Sequence, residues 1–202
     1  MLRDVRYVHA APDPCYLAPW IGWRAVVDVP VLDKELEREK FAIESIALFK
    51  LFSRFEYAMK RSEFIKSGSY NSADPDWKEF ALALGPDFFS HVLGKPAIRI
   101  LISNPPSQLK FKRAAPPNPP EAEWATRTYT QDVQGLIESV KQVRNNLFHG
   151  DKGSPADVGR DSQLMGAAYA ALMEVLVWIE EDESRKRKFS SFVDKITMPL
   201  MF

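Results

Sequence analysis

The segment Arg144-Asn145-Asn146-Leu147-Phe148-His149 is where this sequence comes nearest to chemistry. Histidine exchanges protons near neutral pH more readily than any other side chain, and arginine offers a planar fork of donors that matches a phosphate. Such a pair suits phosphodiester cleavage. The spacing sets a condition. Asn145 and His149, four apart, share a helix face, whereas Arg144 and His149, five apart, lie about 140° from each other on an ideal helix. Arginine and histidine therefore meet only where the helix end unwinds or where two chains share one site. On spacing alone the pattern is also that of a charged helix end, with Arg144 and His149 as cations near the negative pole and Asn145 solvated.

Two further clusters carry charge. In Glu56-Tyr57-Ala58-Met59-Lys60-Arg61, Glu56 and Lys60 stand one turn apart and read as a helix salt bridge. Residues 96–120 contain no acid, while Arg99, Lys110, Lys112 and Arg113 are positive and Phe111 offers a ring. This stretch reads either as a guide for single-stranded RNA or as a solvated connector with a few basic residues. Trp20 and Trp23, beside Pro and Gly, read as packing anchors. His9 and His91 lack a partner at motif spacing and read as structural or surface residues. With one cysteine, Cys15, and scattered histidines, neither a disulfide nor a structural zinc site is expected, nor any cofactor.

The elements that must position these residues are mainly helical. Residues 1–32 carry four prolines and form an irregular arm with room for one strand. From Asp33 to about Lys66 there is no Gly or Pro, and Phe41, Leu48, Phe52, Phe55 and Met59 recur at helical steps, which predicts one long helix. Asp74-Pro75-Asp76 predicts a helix start at Asp74, with a break at Gly85-Pro86 making two short helices before Gly94, then a buried piece at Ile98 to Ile102. Prolines crowd residues 104–120, predicting a loop of extended character. Thr128 to Gln131 has capping-box spacing, and Val133, Leu136, Ile137, Val140 and Leu147 form the stripe of a helix running to about His149 and stopping at Gly150. Ser154-Pro155-Ala156-Asp157 starts a last long helix through Leu164, Ala168, Ala171, Leu172, Val175 and Ile179. Residues 33–184 thus form the helical domain, and residues 185–202 a tail, basic at Arg185 to Lys188 and then apolar.

Composition narrows the class. An apolar fraction of 46% and equal numbers of basic and acidic residues, 27 each, describe a folded chain with no global pull toward polyanions. The N-terminus lacks the apolar core of a signal peptide and no run of about 18 apolar residues is evident, so the expectation is a soluble cytoplasmic protein.

Glu56-x3-Lys60-Arg61 on an early helix, followed by Arg144-Asn145-x3-His149 ending a later one, resembles the paired motifs of HEPN ribonucleases. The likeness spans roughly Asp33 to Glu183 and leaves the arm and the Pro-rich loop without counterparts. It implies an all-α HEPN-like bundle of long antiparallel helices with short extra ones. It also implies a metal-independent endoribonuclease, of the kind found in toxins, antiviral abortive-infection systems and CRISPR effectors, acting as a homodimer in which two Arg-x(4–6)-His motifs meet. In such a site His149 would handle the proton of the ribose 2′-hydroxyl or of the leaving oxygen, and Arg144 would hold the phosphoryl oxygens. Asn145 would orient the site, Glu56 would hold Arg144 or Lys60, and Lys60 and Arg61 would add positive potential. The product would be a 2′,3′-cyclic phosphate, and DNA would be left intact. Partners implied are RNA, a second copy and an antitoxin or defence-system protein. A non-catalytic HEPN-like module binding nucleotide, RNA or a partner protein is the alternative.

Overall fold

The computed structural model describes residues 43–112, 121–148 and 158–198. The chain divides after Lys40, and all described residues belong to the second unit, Phe41–Phe202. Outside them lie the arm with His9, Cys15, Trp20 and Trp23, the start of the expected first helix, Arg113, His149, Gly150, the Ser154–Asp157 helix start and residues 199–202.

Helix α1 (Ile43–Met59) buries Leu48, Phe52, Phe55 and Met59, the stripe read from the sequence. It stops seven residues short of Lys66. On a continued helix Phe64 would point roughly opposite that stripe, into solvent. Breaking the helix lets Phe64 reach Phe80 edge-on at 5.0 Å and stack on Phe189 at 5.6 Å. Burying a phenylalanine is worth about 1.5–3 kcal/mol, more than the few tenths per residue of helix propensity, so packing sets the end. The Ser62 hydroxyl bonds the Met59 carbonyl at the break.

Strands β1 (Ile65–Ser67) and β2 (Ala73–Pro75) then form an antiparallel hairpin. Pro75, expected to open a helix, is paired with Ile65, and Asp76 rather than Asp74 caps α2 (Trp77–Leu93), its Oδ1 accepting from the Glu79 amide at 3.2 Å. Within α2, Gly85 sits at φ 76°, ψ 175°, a conformation open to glycine, and splits the helix into the two expected pieces. The short α3 (Ile100–Ser103) follows, with Ile98 and Leu101 buried.

The Pro-rich stretch is not all loop. Strand β3 (Gln108–Lys112) pairs antiparallel with β4 (Glu121–Ala125), so the fold is mostly α with two small two-stranded sheets rather than all-α. Both segments alternate polar and apolar residues with a period of two, a strand signal that the surrounding prolines obscured.

Helix α4 (Val133–Phe148) is capped by Asp132, not through a Thr128 box: its Oδ1 accepts from the Gly135 amide at 2.8 Å and from the Thr130 hydroxyl at 2.7 Å. A Cβ at Gly135 would stand 1.9 Å from the Thr130 carbonyl oxygen, so the turn requires glycine. The Gly135 amide and then the Thr130 hydroxyl hold the Asp132 carboxyl below its usual pKa. A depressed carboxylate pKa stabilises the fold above the unfolded-state value near 3.9, and that stabilisation fades as pH falls through the folded-state value. Asp132→Ala is therefore expected to cost about 1 kcal/mol at pH 7 and less below about pH 4, measured by urea melts across pH.

Helix α5 (Val158–Glu180) is central and packs on α1, α2, α3 and α4. Leu164, Ala168, Ala171, Leu172, Val175 and Ile179 are buried, as the periodicity required. By length and composition Gly159–Glu180 could cross a bilayer, contrary to the expectation from the sequence, and 44% of its most apolar window lies inside the bundle. Alanines and glycines raise its apolarity without breaking the helix, which is why no block of large apolar residues was evident.

The C-terminal segment belongs to this domain. Helix α6 (Glu183–Lys188), capped by Asp182, leads to α7 (Ser190–Thr197), which packs on α1 and buries Phe189, Phe192 and Ile196.

Candidate functional site

Helix α4 carries Arg144 into its last turns, one residue short of His149. The half-buried Arg144 guanidinium stands 5.5 Å over the Phe52 ring of α1, and its Nη1 donates to Asn145 Oδ1 at 3.3 Å. Burial of Val140 and Val143 on the same helix fixes that orientation, since it turns Arg144 toward α1. Phe52 lies one turn before Glu56. The two motifs, 88 residues apart in the chain, thus sit on helices in contact.

Their finer expected contacts are only partly made. Among the described residues no ion pair joins Glu56 to Lys60 or to Arg144, so Glu56 orients neither here. Arg61 is exposed, its guanidinium 4.9 Å over the Tyr57 ring. Asn145 accepts from Arg144 through its Oδ1. His149 lies outside the described residues.

A polar network beside Arg144 was not read from the sequence. Gln142, nearly fully buried, donates to Asn146 Oδ1 at 2.7 Å, and Asn146 Nδ2 donates to the Ser107 carbonyl at 2.8 Å. Arg127 donates to Gln142 Oε1 at 3.1 Å and to Glu138 Oε2 at 3.0 Å, while Lys141 donates to Glu138 Oε1 at 2.6 Å. Burial pulls the Glu138 carboxyl up, but Lys141 and Arg127 outweigh it and leave the net shift downward. Tyr129 donates to the Pro106 carbonyl, and burial, against the opposing Arg127 charge, pushes its phenol up to about 12. Ser107 precedes β3 and Arg127 follows β4, so the hairpin is fastened at both feet to the turns of α4 that hold Arg144. The i, i+4 pair Gln142 and Asn146 was the available signal.

The hairpin itself changes the reading of the basic stretch. Lys110 stands opposite Glu123 and Lys112 opposite Glu121, with a 3.0 Å ion pair from Lys112 to Glu123. The Glu123 hydrogen bond and charge raise the Lys112 pKa. These four charges share one face and cancel, because the acids that follow the stretch fold back onto it. The opposite face carries Leu109, Phe111, Ala122 and Trp124, with Phe111 71% exposed. Arg99 is exposed just before α3, and Arg113 lies outside the described residues.

A second constellation also escaped sequence reasoning. His91 Nε2 lies 3.2 Å from Glu174 Oε2, which accepts from Lys95 Nζ at 2.7 Å, and the His91 ring packs on Trp178 at 5.0 Å. Burial raises the Glu174 carboxyl, but the Lys95 and His91 hydrogen bonds hold it below its usual range. Arg185 covers Trp178 at 3.2 Å and bonds its carbonyl, so part of the basic run is packed rather than solvated. The cluster ties α2 to α5. His91 and Glu174 are 83 residues apart, beyond any local motif.

Among the described residues no three His, Cys, Asp or Glu side chains gather as metal ligands would. No family model, curated protein or solved structure matches this chain.

Proposed function

We propose that this chain is an endoribonuclease of the HEPN type, cleaving RNA without a metal by attack of the ribose 2′-hydroxyl, in a toxin or antiviral defence setting. The observation that carries this reading is the meeting of the two motif helices, with Arg144 held half-buried over Phe52 beside Asn145. A guanidinium is a planar fork of donors that matches a phosphoryl group, and partial burial strengthens that attraction. His149, five residues on in the sequence, supplies the proton transfer. The five-residue spacing calls for a second copy, whose motif completes the composite site.

A specific observation also favours the non-catalytic reading: the hairpin charges cancel, which removes the electrostatic guide for RNA read from Lys110 and Lys112. The two readings separate in one assay. Purified protein is incubated with mixed RNAs in excess EDTA, and the ends are analysed. The expected products carry 2′,3′-cyclic phosphates, and an all-deoxy oligonucleotide stays intact. Intact RNA across protein concentrations, or products with 3′-hydroxyl ends, would overturn the ribonuclease reading.

A further inference from the structure

Just before β3, the successive backbone carbonyls of Asn104, Pro105, Pro106 and Ser107 are each gripped by a side chain. Arg160 Nη2, at the start of α5, donates to the Asn104 carbonyl at 3.4 Å and to the Pro105 carbonyl at 3.0 Å. The Tyr129 hydroxyl donates to the Pro106 carbonyl at 3.0 Å, and Asn146 Nδ2 to the Ser107 carbonyl at 2.8 Å. Proline rings fix φ, so Pro105-Pro106 makes this segment a stiff strut rather than a hinge. Side chains from α5, from the segment after β4 and from α4 thus hold one rod, and the hairpin is built on its end.

On α4 the grip falls opposite Arg144. Gln142 and Asn146 each lie two residues from Arg144, about 160° around the helix from it. One side of the last two turns is therefore bonded to the strut through Asn146 and to Arg127 through Gln142, while the other side lays Arg144 over Phe52. The last carbonyls of any helix lack partners within it, and final turns fray unless something holds them. Asparagine is also a weaker helix former than alanine, so residue 146 does not hold the turn by propensity.

We propose that Asn146 is a positioning residue for Arg144, and that the strut it grips makes the order of the last turn of α4 depend on the docking of the hairpin. With Ser107 held, the turn stays wound and Arg144 keeps its place over Phe52 beside Asn145. With Ser107 released, the turn unwinds and the guanidinium leaves that place. The hairpin thereby governs the site through the helix. The consequence for cleavage rests on the ribonuclease reading, whereas the mechanical coupling does not.

Amide hydrogen exchange of the full chain tests the brace. Asn146→Ala removes the donor yet favours a helix on propensity alone, so brace and propensity predict opposite results. The amides of Asn145 to Phe148 are expected to exchange at least fivefold faster, with those of Leu136 to Val140 within twofold of the parent. Arg160→Ala frees the far end of the strut and leaves every α4 side chain in place, and it is expected to speed the same last-turn amides at least twofold. Last-turn rates at or below the parent's in either variant, or a rise equal along all of α4, would overturn the proposal. In RNA cleavage, Asn146→Ala is expected to lose at least tenfold in kcat with KM within twofold. A parent-like kcat beside the faster exchange would overturn the positioning role. Exchange is read without RNA, so a parent chain that cleaves nothing counts against the ribonuclease reading, and the exchange rates still decide the brace.

Discussion

Arg144→Lys is expected to lower RNA cleavage by roughly 10²-fold or more although the charge is kept, because a lysine cannot reproduce a planar fork of donors. His149→Ala is expected to lower it by about 10² to 10⁴-fold, the usual contribution of a positioned proton-transfer group. The contrast with a merely structural arginine is sharp. If Arg144 is structural, the lysine variant alters contacts such as the cation–π contact with Phe52 at 5.5 Å, worth about 0.5–1 kcal/mol, and leaves catalysis near the parent's. Cleavage and urea melting measured on the same preparations distinguish these outcomes. A rate within threefold of the parent, with a small loss of stability, would sink the assignment of Arg144 to the phosphate. In the composite site, mixing inactive Arg144→Lys with inactive His149→Ala chains restores part of the rate if one chain's arginine serves the other's histidine.

Helices were legible wherever burial follows a helical period. The stripes of α1, α4 and α5 emerged from the spacing of Leu, Phe, Val and Ala alone, because a helix in a bundle has one inner face and the sequence must supply it. Their ends were not, for an end is set by what lies across the core. Phe64 broke α1 to reach Phe80 and Phe189, and Asp132 outcompeted Thr128 as a cap because Gly135 lets the backbone close on Thr130. The strand pair β3 and β4 was hidden for a related reason: the residues that neutralise Lys110 and Lys112 lie beyond the prolines, and pairing register is a property of two segments. Of the site, the order of the two motifs was readable, while the Phe52 contact and the Ser107 anchor were not, each joining residues far apart in sequence.

Phe192→Ala is expected to cost about 3–5 kcal/mol, as large as any single substitution in this fold. Phe192 is fully buried, 5.0 Å from the Phe80 ring, 5.3 Å from Phe55 and 6.4 Å from Phe64. Removing it opens a void bordered by α1, α2 and the segment after α1, and aromatic neighbours with few rotamers close such a void poorly. Against a total stability of about 5–15 kcal/mol for a domain, this shifts the melting temperature by roughly 6–20 °C. Asp194→Ala, exposed on the same helix, is expected within about 0.5 kcal/mol of the parent. Thermal melts of both variants decide whether α7 is a core helix or an appendage. A Phe192→Ala loss under 1 kcal/mol would mean that the aromatic cluster is held without it. The same helix carries the Ile196 carbonyl gripped by Arg54, so loosening α7 also loosens the outer end of α1, the helix on which Phe52 supports Arg144. Cleavage in Phe192→Ala is accordingly expected to fail at a lower temperature than in the parent while its rate at 15 °C stays near normal.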